Sequence, residues 1–246
     1  LCQNIAQEYM AGLPRAVCQK RTLRDILRQD SMGQQQQKFA ARAAREKKLL
    51  RLAGHITGRT QFDREATAEL APGAVYHFMS ETMRESFYTG CWDPDRCHRH
   101  EIFVSQADYP LKGFHFLLEA MGEILARYPD AHVKVAGNSV MGTGGLMSRL
   151  KIPAYGKYLR KLERTCKLRG KIRTLGRLSE EEMKEAYLSC HVFVCPSVVE
   201  NSPNSVAEAQ LLGVPVAASR AGGIPSVVAQ GSGILFEKGN AKELAG

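Results

Sequence analysis

Two acidic residues, Glu200 and Glu208, stand on either side of the segment Asn201-Ser202-Pro203-Asn204-Ser205-Val206-Ala207. Ser202 is a good helix N-cap and Pro203 suits a first helical position. The segment therefore predicts a helix from 203 to 212, stopped by Gly213. Its first turn offers unpaired amides from Asn204 and Ser205, and with the helix dipole these attract phosphate. Pro203 has no N–H to give. Glu208 falls roughly 9 Å further along at 1.5 Å rise per residue. Carboxylates accept hydrogen bonds from hydroxyls strongly. Two of them about a phosphate-binding turn suit a ligand with hydroxyls at both ends and phosphate between, as a nucleotide sugar has. The same residues, taken alone, also fit a capped helix with one loop and one surface glutamate. A retaining glycosidase pairs two carboxylates as nucleophile and acid/base, but that chemistry leaves the phosphate-type surroundings unused.

The elements that must position these residues can be read from hydrophobic periodicity. Residues 1–53 read as helical, with Leu23, Ile26 and Leu27 at helical spacing and Gln34 to Gln37 as a loop or helix start. His55–Gly58 reads as a short strand, Asp63–Leu70 as a helix, and Ala74–Phe78 as a strand. Trp92-Asp93-Pro94-Asp95 reads as a turn and a domain boundary. From Glu101 apolar strands alternate with helices: strands at 102–104, 133–137, 172–175, 191–195, 214–218 and 234–236, and helices at 114–127, 157–168, 180–188, 203–212, 224–228 and 241–245. That alternation predicts a parallel sheet covered on both faces, with ligands held beyond the carboxyl ends of its strands.

Composition bounds the answer. The chain has 246 residues, 44% hydrophobic and 24% charged, which is enough for a sizeable core. No apolar run reaches the roughly 18 residues a membrane-spanning helix needs, and the N-terminus shows no secretory signal. The formal charge is +9, and residues 1–60 carry +8 of it. A uniformly basic nucleic-acid-binding protein is not expected to look like this, so no nucleic-acid partner is expected. The basic residues 15–51 instead offer a surface for an anionic membrane, for a phosphorylated substrate, or merely for water. The seven cysteines are scattered without a CxxC, which predicts a reducing, cytoplasmic setting and mostly buried thiols, and the basic residues 15–51 would allow peripheral attachment at the membrane's inner face. Cys91, Cys97, His98 and His100 cluster but match no common zinc spacing, so no metal site is expected there. Asp93-Pro94-Asp95 lies in a proline turn rather than at a strand end. A metal-independent site follows.

Glu200 and Glu208 with seven residues between them, then Gly213-Val214-Pro215-Val216 and Ala221-Gly222-Gly223-Ile224-Pro225, resemble the donor-site signature of retaining glycosyltransferases of the GT-B fold, family 4 (glycosyltransferase group 1). Ile102-Phe103-Val104-Ser105-Gln106 with Lys112-Gly113, Val133 to Gly137, and Leu175-Gly176-Arg177-Leu178-Ser179 extend the resemblance over roughly residues 101–240. It implies an α/β, GT-B-like fold. Residues 96–246 would be a nearly complete Rossmann-like donor domain lacking its final helices. Residues 1–95 would be the C-terminal part of an acceptor-side domain, so the chain is expected to be truncated at both ends. The implied roles are these. Glu200 contacts donor-sugar hydroxyls and Glu208 the ribose. Lys112 neutralises the diphosphate, which Gly113, Ser202, Asn204 and Ser205 also approach. Gly137, Arg177 and Leu178 border the base pocket. The implied donor is a UDP- or GDP-sugar with no further cofactor, and the acceptor a glycan, polysaccharide or lipid-linked hydroxyl. Gln106 departs from the pattern, because the family commonly has Arg there and Gln supplies neither charge nor a bidentate fork. Arg59 is the candidate substitute; its other reading is a salt bridge to Asp63, four residues on. Two alternatives remain open: a nucleotide-sugar epimerase or sugar-phosphate enzyme of the same fold, and a basic module that binds membrane or RNA.

Overall fold

The structure, a computed structural model, describes residues 1–142, 150–228 and 230–246. The helical N-terminal stretch is broken into α1 (Cys2–Glu8), α2 (Arg15–Cys18), α3 (Leu23–Arg28) and α4 (Met32–Leu50). The last two begin at capping boxes, Thr22 with Asp25 and Ser31 with Gln34. Each box satisfies amides that a new helix would leave unpaired, so the chain restarts rather than continues. The glutamine run Gln34–Gln37 thus lies within the first two turns of α4. A small parallel sheet follows, β1 (His55–Gly58) beside β2 (Val75–Phe78), joined by α5 (Gln61–Leu70).

The second half builds a six-stranded parallel sheet from β3 (His98–Val104), β4 (His132–Ala136), β5 (Ile172–Gly176), β6 (Cys190–Cys195), β7 (Val216–Ser219) and β8 (Gly233–Phe236). Between and after them run α6 (Phe114–Arg127), α7 (Ala154–Thr165), α8 (Glu180–Ser189), α9 (Asn204–Leu211), α10 (Ile224–Val227) and α11 (Ala241–Ala245). The strand order is β5-β4-β3-β6-β7-β8. The order reverses between β3 and β6, and a crevice outside the carboxyl ends opens at such a reversal. Alternation along β3 supplies both layers. Ile102 and Val104 join Leu117, Leu118 and Leu159 on one face, while Phe103 joins Phe193, Tyr187 and Val206 on the other. Phe87 and Trp92, ahead of the expected boundary, already pack on this second layer, and the Trp92 indole donates to the Cys190 carbonyl at 2.8 Å.

Some expectations need correction. Of the seven thiols, all free, only Cys190 and Cys195 are buried, because the others sit on helix surfaces and turns rather than on a covered sheet. The Cys91–His100 cluster disperses: Cys97 donates to the Pro94 carbonyl, His98 approaches Glu101, and His100 pairs with Asp130 at 2.8 Å. Among the described residues no three His, Cys, Asp or Glu side chains gather as a metal-binding group.

His115, in the first turn of α6, fastens the N-terminal segment to the large sheet. Its ring is fully buried, with Nε2 3.2 Å from the Ala11 carbonyl and Nδ1 3.2 Å from the Tyr155 hydroxyl. A carbonyl can only accept, so Nε2 carries the proton and Nδ1 accepts from the phenol. Burial pushes the imidazole down to about 4, against a weak opposing effect of the Ala11 carbonyl. The unfolded chain takes up this proton below about 6.5, whereas the folded chain resists until about 4. This contribution to stability is therefore complete above pH 6.5 and is lost as pH falls through that window, by about 3 kcal/mol at pH 4. Urea unfolding followed from pH 7 to pH 4 will show this decline, and His115→Gln will flatten it; an unchanged slope would assign the effect to other groups.

Candidate functional site

The predicted helix start is present but shifted by one residue. Pro203, at φ −72° and ψ 112°, is the cap residue rather than the first helical one, and α9 begins at Asn204. Ser202 does not cap it, because the Pro203 carbonyl is what accepts the first helical bonds, from Val206 and Ala207. The amides of Asn204 and Ser205 remain those of an open first turn, at the carboxyl-end side of β6.

Lys112 reaches this edge from a single 3-10 turn, Pro110–Lys112, that follows β3. Gly113 closes the turn at φ +66°, and a side chain there would overlap the Pro196 carbonyl. A glycine is therefore required for the β3 and β6 loops to approach closely enough. Across the gap the Lys112 ammonium donates to Glu200 Oε1 at 2.5 Å, and the Ser197 hydroxyl donates to the same oxygen at 3.0 Å. The Glu200 backbone is held by Gly222 and Gly223. The Gly223 amide donates to the Glu200 carbonyl at 2.9 Å, and a side chain at either glycine would strike the carbonyl of Glu200 or Asn201. The tight turn at Gly222 and Gly223 is thus what aims Glu200. The Lys112 and Glu200 side chains are 21% and 17% exposed, so the pair is partly withdrawn from water. Burial alone would lower the lysine pKa; the Glu200 carboxylate outweighs it and holds the ammonium above its ordinary value. Behind the pair, burial pushes the Cys195 thiol up to about 11 and keeps it neutral.

Glu208 is more enclosed, at 9% side-chain exposure, and both its oxygens are engaged. Arg84 binds Oε1 at 2.7 Å, and the Tyr187 hydroxyl lies 3.2 Å from Oε2. Arg84 also stacks over Phe87 at 4.6 Å and faces Glu180. Burial and Glu208 together drive the Tyr187 phenol well above its ordinary pKa, so it stays a donor. The two carboxylates, read from sequence as open acceptors, each hold a cation, because a desolvated carboxylate needs one.

Arg59 does cross toward α9. Its Nη1 lies 3.4 Å from Asn204 Oδ1, and its guanidinium pairs with Glu81. The expected ion pair with Asp63 is replaced by a backbone contact: the Arg59 amide, not its side chain, donates to Asp63 at 2.9 Å. Asp63 also accepts from Tyr76 at 2.5 Å. Its carboxyl is pushed up by burial, but the Tyr76 phenol and the Arg59 and Thr60 amides outweigh this and hold it below the usual range. Thr60 donates to Asn201 at 2.9 Å, so the small sheet's loop and the Glu200 loop are joined directly. A cavity of about 460 Å³ beside this junction is lined by Thr57, Arg59, Asp63, Ser80, Glu81 and Asn201.

Gly137 and Arg177 stand at the ends of β4 and β5. The Gly137 amide donates to the Gly176 carbonyl at 2.7 Å. Arg177 Nε donates to Asn138 Oδ1 at 3.3 Å, and Asn138 Nδ2 donates to Asp108 at 3.1 Å. Leu178 packs at the margin of the second core layer. Gln106 stands beside Gly137, and its side chain makes no hydrogen bond among the described residues. A cavity of about 710 Å³ adjoins these residues, lined by Asp108, Tyr109, Asn138 and Arg177 as well as Arg24 and Lys151. The sequence reading missed Arg84, Asn138, Asp108 and Ser197. Of these, Ser197, three residues before Glu200 in the same loop, had a local signal.

Residues 98–246 match the family described as glycosyl transferases group 1. The chain belongs to this family. It is 34% identical over 128 residues to the D-inositol 3-phosphate glycosyltransferase of Corynebacterium urealyticum, covering 52% of this chain and 28% of that one. It is 40% identical over 72 residues to the sulfoquinovosyl transferase of Arabidopsis thaliana, covering 28% and 14%. The chain thus spans under a third of the length of these relatives. Its fold matches that of Anabaena HepE in complex with UDP-glucose, with a TM-score of 0.65 at 20% identity over 81% of this chain and 56% of that one. It matches the sucrose-phosphate synthase of Thermosynechococcus elongatus equally, with a TM-score of 0.65 at 19% identity over 81% and 49%. The α/β, GT-B-like architecture expected from sequence is therefore the one observed.

The Arg84–Glu208 pair can be tested by itself. Arg84→Met keeps the stack on Phe87 but leaves a nearly buried carboxylate without its cation. It will lower unfolding stability by about 1–2 kcal/mol, a figure reduced for the exposed arginine. Adding Glu208→Gln will recover much of the loss; full additivity in denaturant titrations would show that the two side chains do not interact.

Proposed function

We propose that the protein transfers a glycosyl group from a nucleoside diphosphate sugar to an acceptor hydroxyl, with retention of configuration. The observation that carries this reading is the Lys112–Glu200 pair, set at the reversal point of a parallel sheet beside the open first turn of α9. As the bond to the donor sugar breaks, negative charge develops on the departing diphosphate. An ammonium held charged by Glu200, together with the Asn204 and Ser205 amides, is preorganised for that charge. Freed from part of its bond to Lys112, Glu200 accepts hydrogen bonds from sugar hydroxyls, with Ser197 fixing its orientation. The UDP-glucose bound to HepE supports a nucleotide sugar as donor. The nucleoside end then lies toward Gly137, Arg177 and Leu178, and Glu208 shares its hydrogen bonds between Arg84 and the ribose. Residues 1–95 form the acceptor side, and residues 96–246 the donor side.

Gln106 leaves the diphosphate one cation short of the family pattern, and Arg59 supplies it. Its place within reach of Asn204 supports this, with Glu81 as its partner while the donor is absent. Two measurements test the reading. Glu200→Gln will reduce sugar transfer by at least about 100-fold while leaving the circular dichroism spectrum unchanged; unaltered turnover would refute the donor-site assignment. Arg59→Ala will weaken nucleoside diphosphate binding about tenfold, and Gln106→Arg on that background will restore it. If Arg59→Ala binds as the unaltered protein does, position 59 does not face the phosphates.

A further inference from the structure

We infer that α2, α3 and the loop between them form a docking surface for an anionic lipid bilayer. Helix α3 is inverted. Leu23, Ile26 and Leu27 lie on one face, three and four residues apart, and such a stripe ordinarily faces a core. Here they are 59%, 59% and 75% exposed. The side turned inward carries the acid. Asp25 is 2% exposed, closes the capping box with Thr22, and accepts from the Ala154 amide at 3.1 Å, where α7 begins. One carboxylate thus caps two helices and fixes α3 on the large sheet's outer layer with its apolar face outward.

The surroundings of that face select the partner. Arg15, Lys20, Arg21 and Arg28 are all exposed, and none has an ion-pair partner among the described residues. The neighbouring Arg24 is already committed to Asp25 and Asp30. Three exposed aliphatic side chains, with unpaired cations flanking them in the chain at Lys20, Arg21 and Arg28 and a further one at Arg15 on α2, match a surface with acyl chains beneath and anionic headgroups around. An apolar protein groove would not call for the cations, and a nucleic acid would not call for the leucines. No described helix is long and apolar enough to cross a membrane, so the contact is peripheral. The enzyme would then meet an acceptor embedded in, or lying on, the lipid surface. The inference rests on α2, α3 and the loop between them, and its vesicle test does not depend on the donor-site reading.

Co-sedimentation of the full chain with vesicles of phosphatidylglycerol and phosphatidylcholine, and with phosphatidylcholine alone, tests it. The protein will sediment with the anionic vesicles and not the neutral ones, and added salt will release it. Replacing Arg15, Lys20, Arg21 and Arg28 by Gln will weaken binding about a hundredfold or more. The triple variant Leu23→Ser, Ile26→Ser, Leu27→Ser alters only exposed positions, so it will keep the fold, as circular dichroism will check, and will also lose vesicle binding. The proposal is overturned if the unaltered chain ignores anionic vesicles, or if both variants bind as well as it does. It is equally overturned if the triple variant changes only the oligomeric state, which would make the face a contact between two copies.

Discussion

The ion pair between Lys112 and Glu200 is the interaction on which the rest of the site depends. Neither residue lies near the other in sequence, and each is held in place by a turn that would not tolerate a side chain at its tightest point: Lys112 by its own turn, Glu200 by a neighbouring one. Gly113 lets the turn after β3 approach the Pro196 carbonyl, and Gly222 with Gly223 lets the loop after β7 clasp the backbone of Glu200. Lys112 and Glu200 themselves follow β3 and β6, at the carboxyl ends of a doubly wound sheet, where the chain order reverses and a crevice opens. The sheet therefore places one cation and one carboxylate together, and their mutual attraction keeps the lysine charged despite its burial.

The same logic explains why the second carboxylate is not simply open. Glu208 is on the buried side of α9 and would be costly to desolvate alone. Arg84 and Tyr187 stabilise it, and Arg84 comes from the segment that links the small sheet to the large one. Arg59 comes from the small sheet's own loop. Arg59 and Arg84 from the first part of the chain thus join Lys112 from the second at one margin of the large sheet. That arrangement suits the diphosphate of the proposed donor, and the small sheet is tied to the Glu200 loop through Thr60 and Asn201.

Much of the fold was legible in the sequence. Parallel strands covered on both faces are nearly continuous apolar runs, and those of β3 to β8 stand out between helices with clear stops. The spacing of Glu200, Glu208 and the glycines marked the candidate site, because glycine requirements and helix starts are local. What was not legible was long-range or orientational. Arg84 meets Glu208 across 124 residues, and no spacing rule anticipates that. The ψ angle of Pro203, 112° and outside the helical range, moved the cap by one residue, and no local residue preference announces it. The periodicity of Leu23, Ile26 and Leu27 established a helix but could not say which way it turned, since the buried Asp25 that decides this is bonded to an amide 129 residues away.

Calorimetric titration of UDP, GDP and ADP into the protein and into Lys112→Met tests the central claim most directly. The account predicts that at least one diphosphate binds the unaltered chain, and that Lys112→Met weakens it by at least about tenfold, or 1.4 kcal/mol, with the fold intact. Equal affinity in the two proteins would mean that the lysine does not meet the diphosphate, and the site would have to be sought elsewhere.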